Sequence, residues 1–188
     1  MRKILSALGM LVLTHVCQAQ ILKTFLPPPQ FSENLNKIVS DFSHNFYNIQ
    51  GESVDKDQDR EVYNSLVTLP GSLSTLIYRF HSSSDTTASW QATMFKGESY
   101  ADALKVYKNT SRYLNKSRVS VPGNANAGFN GKLEEPDSNL TFAVSTFTLN
   151  TDAEVFKHFL AEVEMVTVNY GEWEVHLSLH NKKPDNLK

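Results

Sequence analysis

The segment "EWEVHLSLH" (172–180) constrains this chain more than any other stretch. Trp173, Val175, Leu177 and Leu179 alternate strictly with Glu174, His176, Ser178 and His180. A period of two marks a strand with one face buried and the other wet. His176 and His180 stand four residues apart. On a helix that spacing stacks two imidazoles and suits a shared metal ion. On a strand it separates them by roughly 13 Å, too far for one ion whose ligand nitrogens sit about 2 Å away. The alternation therefore assigns both rings, with Glu172 and Glu174, to a polar sheet face rather than to a metal centre.

Such a strand needs neighbours to pair with and helices to cover its apolar side. In "FSENLNKIVSDFSHNFYNIQG", Leu35, Ile38, Val39, Phe42, Phe46 and Ile49 recur in steps of three and four, which predicts a helix with Ser32 as N-cap and Gly51 just past its end. "ESVDKDQDRE" reads as a solvated loop. "VYNSLVTLPGSLSTLIYRFH" and "ASWQATMF" read as a three-stranded meander, with Pro70-Gly71 in a type II turn and "SSSDTT" as a break. A second helix follows in "SYADALKVYKNTSRYL", where Tyr100, Ala103, Leu104, Tyr107 and Leu114 share a face and Ser99 with Asp102 forms a capping box. "VPGNANAGFNGKL" is turn-rich and ends in a short strand.

"LTFAVSTFTL" is a strand with Leu140, Phe142 and Val144 inward. Phe147 and Leu149 fall on its other side. A bulge near Ser145 and Thr146, or coverage of both faces, accounts for them, and the bulge is preferred. Thr151 and Glu154 then open a third helix whose stripe is Phe156, Phe159, Leu160, Val163 and Val166, although β-branched Val166, Thr167 and Val168 weaken its end. The expected fold class is α+β: a single antiparallel β-sheet of about five to six strands with helices packed on one face, in the order α-βββ-α-ββ-α-β. From the third strand onward this is βαββαβ, a ferredoxin-like core. A partial last helix would bring it nearer the small secretion-chaperone folds.

The chain has 188 residues, 40% of them hydrophobic, enough for one domain with a real core, placed at 31–180. Residues 1–19 have the layout of a signal peptide: basic "MRK", apolar "ILSALGMLVLTHV", then "CQA" before Gln20. The apolar run is too short and interrupted for a membrane span. Cleavage after Ala19 removes Cys17, the single cysteine, and leaves no disulfide. A lipoprotein anchored at Cys17 is the less favoured alternative, because Val16 is not small. The expected location is periplasmic or secreted. Loss of Arg2 and Lys3 leaves sixteen of the eighteen basic residues against twenty acidic ones, a formal charge of −4. That balance provides no footprint for nucleic acid. A proline-rich linker (20–30) precedes the domain and a polar tail (181–188) follows it.

Catalytic signatures are missing. There is no G-x-S-x-G, Walker or dinucleotide motif, and His44, His81 and His158 lack zinc-motif spacing. Carboxylates in "DKDQDRE" and "AEVEM" read as solvated loop and helix positions. Asn109, Asn115 and Asn139 head N-x-[ST] triplets, which matter only in a host that glycosylates them. Aromatic residues, 11% of the chain, are the one feature that suggests recognition, although a core built from large side chains is the commoner use for them.

At "DFSHNFYNIQGE", "TLPGS" and "ASWQATMFKGESYADALKVYK" the chain resembles a family of small exported proteins of Bacteroidota. In that family a helix ends in an N-I-x-G-E-like turn. An L-P-G turn, a Y/S-W-Q strand and a Y/F-x-x-A-x-x-x-Y helix follow. "YGEWEVHLSL" is similar to the family's closing strand, and the likeness covers most of residues 31–180. The resemblance implies export and a shared fold. No function is attached to the family, so it carries over no catalytic or binding residue.

The expectation is an exported non-enzymatic protein, a binding or interaction module of the cell envelope for an unknown protein or small ligand, with no cofactor. Its candidate surface comprises Trp90, Tyr107, Trp173 and His176. The alternatives are a hydrolase or metal-dependent enzyme assembled from distant residues such as Glu172, His176 and His81, and a structural part of a larger envelope complex.

Overall fold

The computed structural model describes residues 26–81, 87–137, 139–168 and 171–182. The expected leader, Cys17, the first part of the linker, the break at 82–86 and most of the tail lie outside the described residues. No helix among the described residues is long and apolar enough to cross a membrane.

Helix α1 (Pro29–Phe42) starts inside the expected linker, with Pro29 at its first position. Proline is at ease there because that amide would lack an intrahelical acceptor anyway. Ser32 is therefore not the cap. The stripe Leu35, Ile38, Val39 and Phe42 is buried as expected. The helix stops at Phe42 because Asn45 and Phe46 take positive φ, 53° and 58°, and the Asp41 carboxylate accepts the amides of Asn48 (3.0 Å) and Ile49 (3.2 Å). Phe46 and Ile49 reach the core from a turn rather than from a helix.

Nine strands follow in one antiparallel sheet: β1 (Gln50–Lys56), β2 (Arg60–Ser65), β3 (Ser74–Phe80), β4 (Ala88–Gly97), β5 (Arg118–Val121), β6 (Asn124–Gly131), β7 (Phe142–Leu149), β8 (Phe159–Thr167) and β9 (Trp173–Asn181). Helix α2 (Tyr100–Lys116) joins β4 to β5. The spatial order β1-β2-β3-β4-β9-β8-β7-β6-β5 consists of two meanders that meet where β4 pairs with β9. At the start of α2, Ser99 Oγ accepts the Asp102 amide at 3.2 Å, as its sequence predicts.

The expected count of five to six strands is corrected to nine, and the ferredoxin-like order is lost. Three segments account for the change. "ESVDKDQDRE" is not a loop but β1 and the start of β2. An exposed edge strand needs no buried face, so it shows no alternation, and its charges discourage pairing with other chains. Pro122-Gly123 turns β5 into β6, with Gly123 at φ 78° supplying the positive angle of a type II turn. The expected third helix is a single 3₁₀ turn, Glu154–Phe156, followed by β8. Phe159, Ala161, Val163 and Met165 all face the core, a period of two that a 3.6-residue stripe also partly fits. The slot between β7 and β9 decides for strand.

Strand β7 runs without a bulge from Phe142↔Val166 to Phe147↔Ala161. Its inward residues are Ala143, Ser145, Phe147 and Leu149, while Leu140 and Phe142 are exposed. The expectation that Leu140, Phe142 and Val144 point inward is thus reversed. Small residues belong inside because Tyr107 of α2 fills that space: its hydroxyl lies 2.6 Å from Ser145 Oγ.

Both helices and the inner face of the sheet share one continuous core. Phe42 packs edge-on to Phe159 (ring centres 4.9 Å apart) and Phe31 meets Tyr113 (5.4 Å), tying α1 to β8 and to α2. Each fully buried large side chain contributes about 1.5–3 kcal/mol, and no cysteine among the described residues adds to that.

Gly131 of β6 tests this packing. A β-carbon there would strike the Thr146 carbonyl and the Phe147 ring. Gly131→Ala is expected to lower stability by about 1–3 kcal/mol in urea unfolding; an unchanged midpoint would contradict the β6–β7 register.

Candidate functional site

The helices cover one face of the sheet, and the opposite face carries the outward residues of β4, β9 and β8 in cross-strand rows. Thr93, His176 and Glu164 form one row; Gln91, Ser178 and Glu162 form the next. Lys96, Glu174 and Val166 form a third. Side chains that alternate outward on three paired strands must meet in this way, because register fixes which residues lie opposite.

The rows are tied by charge. Glu174 accepts from Lys96 Nζ at 2.9 Å and lies 2.9 Å from His176 Nε2. His176 Nδ1 is 3.4 Å from the Thr93 hydroxyl. His180 Nδ1 faces the Asn181 carbonyl and its Nε2 faces Glu162, each at 2.9 Å. Both of those neighbours accept, so the His180 ring donates to them from its protonated nitrogens. Thr146 donates to the other Glu162 oxygen at 3.3 Å. Gln91 donates to Ser178 Oγ at 3.1 Å and accepts from the Tyr78 hydroxyl at 3.3 Å. Although neither described helix lies over them, the His176 and Glu174 side chains are only 14% and 17% exposed, because neighbouring side chains shield them.

Electrostatics divides the carboxylates. The hydrogen bond from His180 holds Glu162 below the ordinary carboxylate value, against the opposing effect of burial. Lys96 does the same for Glu174. Glu164 differs. It has no hydrogen-bond partner among the described residues, and burial raises its pKa, with His176 opposing and Glu162 adding to the rise. Half-buried apolar groups flank the array, Leu76 on β3 at one side, Val144 on β7 and Val166 on β8 at the other.

The four sequence-derived surface residues do not converge. Trp90 is fully buried on the helix side, with Nε1 donating to Ser65 Oγ at 2.9 Å. Tyr107 is equally buried under α2. Trp173 is partly buried at the same face, edge-on to Tyr100. Only His176 lies on the open face. The residues of the enzyme alternative are divided as well. Glu172 shares Lys96 with Glu174, beside His176, whereas His81 pairs with Glu61 on β2, three strands from β9. Among the described residues no three His, Cys, Asp or Glu side chains gather as a metal set.

Sequence reasoning missed Glu162, Glu164, Gln91 and Thr93 as members of this array. Reading "FLAEVEMVT" with a period of two would have placed both glutamates outward, facing the strand of the histidines. A cavity of about 590 Å³ elsewhere, between the Pro122-Gly123 turn and residues 150–155, offers less chemistry. Its Asn124 amide group is already committed to the Asn150 carbonyl and its oxygen to the Asn126 amide. Comparison of the chain with protein-family models, curated proteins and solved structures finds no match in any of the three.

The two carboxylates have opposite signs in pH linkage. Glu162, held low, adds stability above the ordinary carboxylate range that is lost as pH falls through its lowered folded value. Glu164, raised, subtracts stability as pH climbs past the ordinary range, because ionisation then disfavours the folded state. His180→Gln is expected to raise the Glu162 pKa in a carboxyl-carbon NMR titration. Glu164→Gln is expected to stabilise the protein at neutral pH by less than about 1 kcal/mol, since the group is half solvated, with the gain vanishing at low pH.

Proposed function

We propose that the protein is an exported, non-enzymatic binding module of the cell envelope that engages its partner through the helix-free face of the sheet. The observation that carries this reading is the state of that face: a half-buried polar array, held by internal ion pairs, with Glu164 at its centre left without a hydrogen-bond partner among the described residues. Pre-paired side chains lose little rotamer freedom on binding, which favours recognition. The apolar flanks at Leu76, Val144 and Val166 supply area that a partner would remove from water. Support for export comes from the leader-like first nineteen residues.

The same features weigh against hydrolysis. Both nitrogens of His176 and of His180 already face neighbours, so neither ring offers a free nitrogen to act as a base on a substrate. A raised carboxylate is the one property an acid–base enzyme would share.

A photo-activated cross-linker placed at Ser178 or Thr146, on the open face, is expected to trap a discrete partner in cells of the native host. One placed at Lys105, on the exposed side of α2, is expected to trap none. Adducts from Lys105 alone, or none from either face position, would overturn the assignment.

A further inference from the structure

Arg79 lies on the helix side of β3, at the margin of the core where the turn after α1 meets β1. It is 5% exposed. Its Nε donates to Gln50 Oε1 at 2.6 Å and its Nη2 to the Asn45 carbonyl at 2.9 Å. A guanidinium has five N–H donors, so the Nη1 edge has no acceptor among the described residues. Its charge is also unmatched. Glu61 is its cross-strand neighbour in register, but the Glu61 oxygens are taken up by Lys56 at 2.5 Å, the Tyr63 hydroxyl at 2.6 Å and His81 at 3.3 Å. No carboxylate among the described residues forms an ion pair with Arg79.

What covers the group is aromatic. The guanidinium carbon is 3.6 Å from the centre of the Tyr47 ring and 6.0 Å from that of Tyr63. Tyr47 itself is 63% exposed, and a ring stacked on the guanidinium face leaves in-plane hydrogen bonds at its edge possible. The turn that carries Tyr47 is held rigidly. Phe46 stays at φ 58°, an unfavourable angle for a bulky residue, only because its ring is fully buried. A neutral side chain would fill this position without the desolvation penalty that an isolated buried cation carries.

We propose that Arg79, stacked on the Tyr47 ring, forms a binding site for a carboxylate group, which docks in the guanidinium plane on the Nη1 edge. A carboxylate matches the guanidinium fork with two parallel hydrogen bonds. Being singly charged, it tolerates the nearby Glu61 carboxylate better than a phosphate dianion does. The site is on the helix side of the sheet, apart from the open polar face, so failure of either assignment leaves the other standing.

Titration of the ¹⁵N-labelled mature protein with sodium acetate, sodium phosphate and sodium chloride at matched ionic strength tests this, read at the Arg79 Nε–Hε resonance. Acetate is expected to give a saturable shift below about 100 mM, the range of a weak single-group contact, with phosphate weaker and chloride without effect. The Gln50 side-chain amide, bonded to Arg79, should report the same saturation, and Arg79→Lys should abolish its response. Tyr47→Ala, at an exposed position that leaves the core intact, should weaken acetate binding about threefold by removing the ring that holds the guanidinium plane. A peptide with a free C-terminal carboxylate, set against its amide, separates a chain-end ligand from a small acid, and binding of either supports the site. No acetate-specific saturation, equal response to chloride, phosphate binding tighter than acetate, or unchanged affinity in Tyr47→Ala would each overturn it.

Discussion

The pairing of β4 with β9 holds this structure together. It joins residues far apart in the chain, Trp90 with Leu179 and Ala92 with Leu177, and it is the contact through which two meanders become one sheet. Apart, each half would leave a strand edge unpaired, at β4 or at β9, and would divide the apolar floor between them. Joined, they present a continuous floor on which α1 and α2 lay Leu35, Ile38, Tyr107 and Leu114. The loop-closure entropy of so distant a pairing is offset only when the helices dock as well, which couples sheet and core in one cooperative event.

The same seam builds the opposite face. Alternation means that each inward Val175, Leu177 or Leu179 commits an outward His176, Ser178 or His180. Register with β4 and β8 then sets Thr93, Gln91, Glu162 and Glu164 around them. Ion pairs that are modest on an open surface gain strength here because neighbours exclude much of the solvent. Glu164 is the residue that this arrangement leaves over. The binding reading rests on that remainder, and on its lying on the face opposite both described helices.

Legibility in the sequence followed how strongly each segment was committed to one environment. Strand β9 and helix α2 could be read directly, because a single buried face imposes a clean period and Ser99 marks a start. Strand β1 could not, because an edge strand exposed on both faces has no pattern to show. Strand β8 was read as a helix because Phe156, Phe159, Leu160 and Val163 fit a helical stripe as well as an alternating one; only pairing with β7 and β9 separates the two. In β7, hydrophobicity was misleading. Ser145 is inside because it meets the Tyr107 hydroxyl, a tertiary hydrogen bond that no local pattern encodes. The outward set of His176, His180 and Glu174 was visible from alternation, whereas Glu162 and Glu164 were hidden by the mistaken helix. Trp90 and Tyr107, chosen as aromatic recognition residues, lie in the core.

Residue-resolved amide hydrogen exchange under native conditions tests the account most directly. If the β4–β9 seam joins the two halves, the amides of Trp90, Ala92, Leu177 and Leu179 that bond across it exchange only through global unfolding, more slowly than those of edge strand β1. Exchange across this seam as fast as at β1, with either meander protected independently of the other, would contradict the single-sheet architecture and the polar face built upon it.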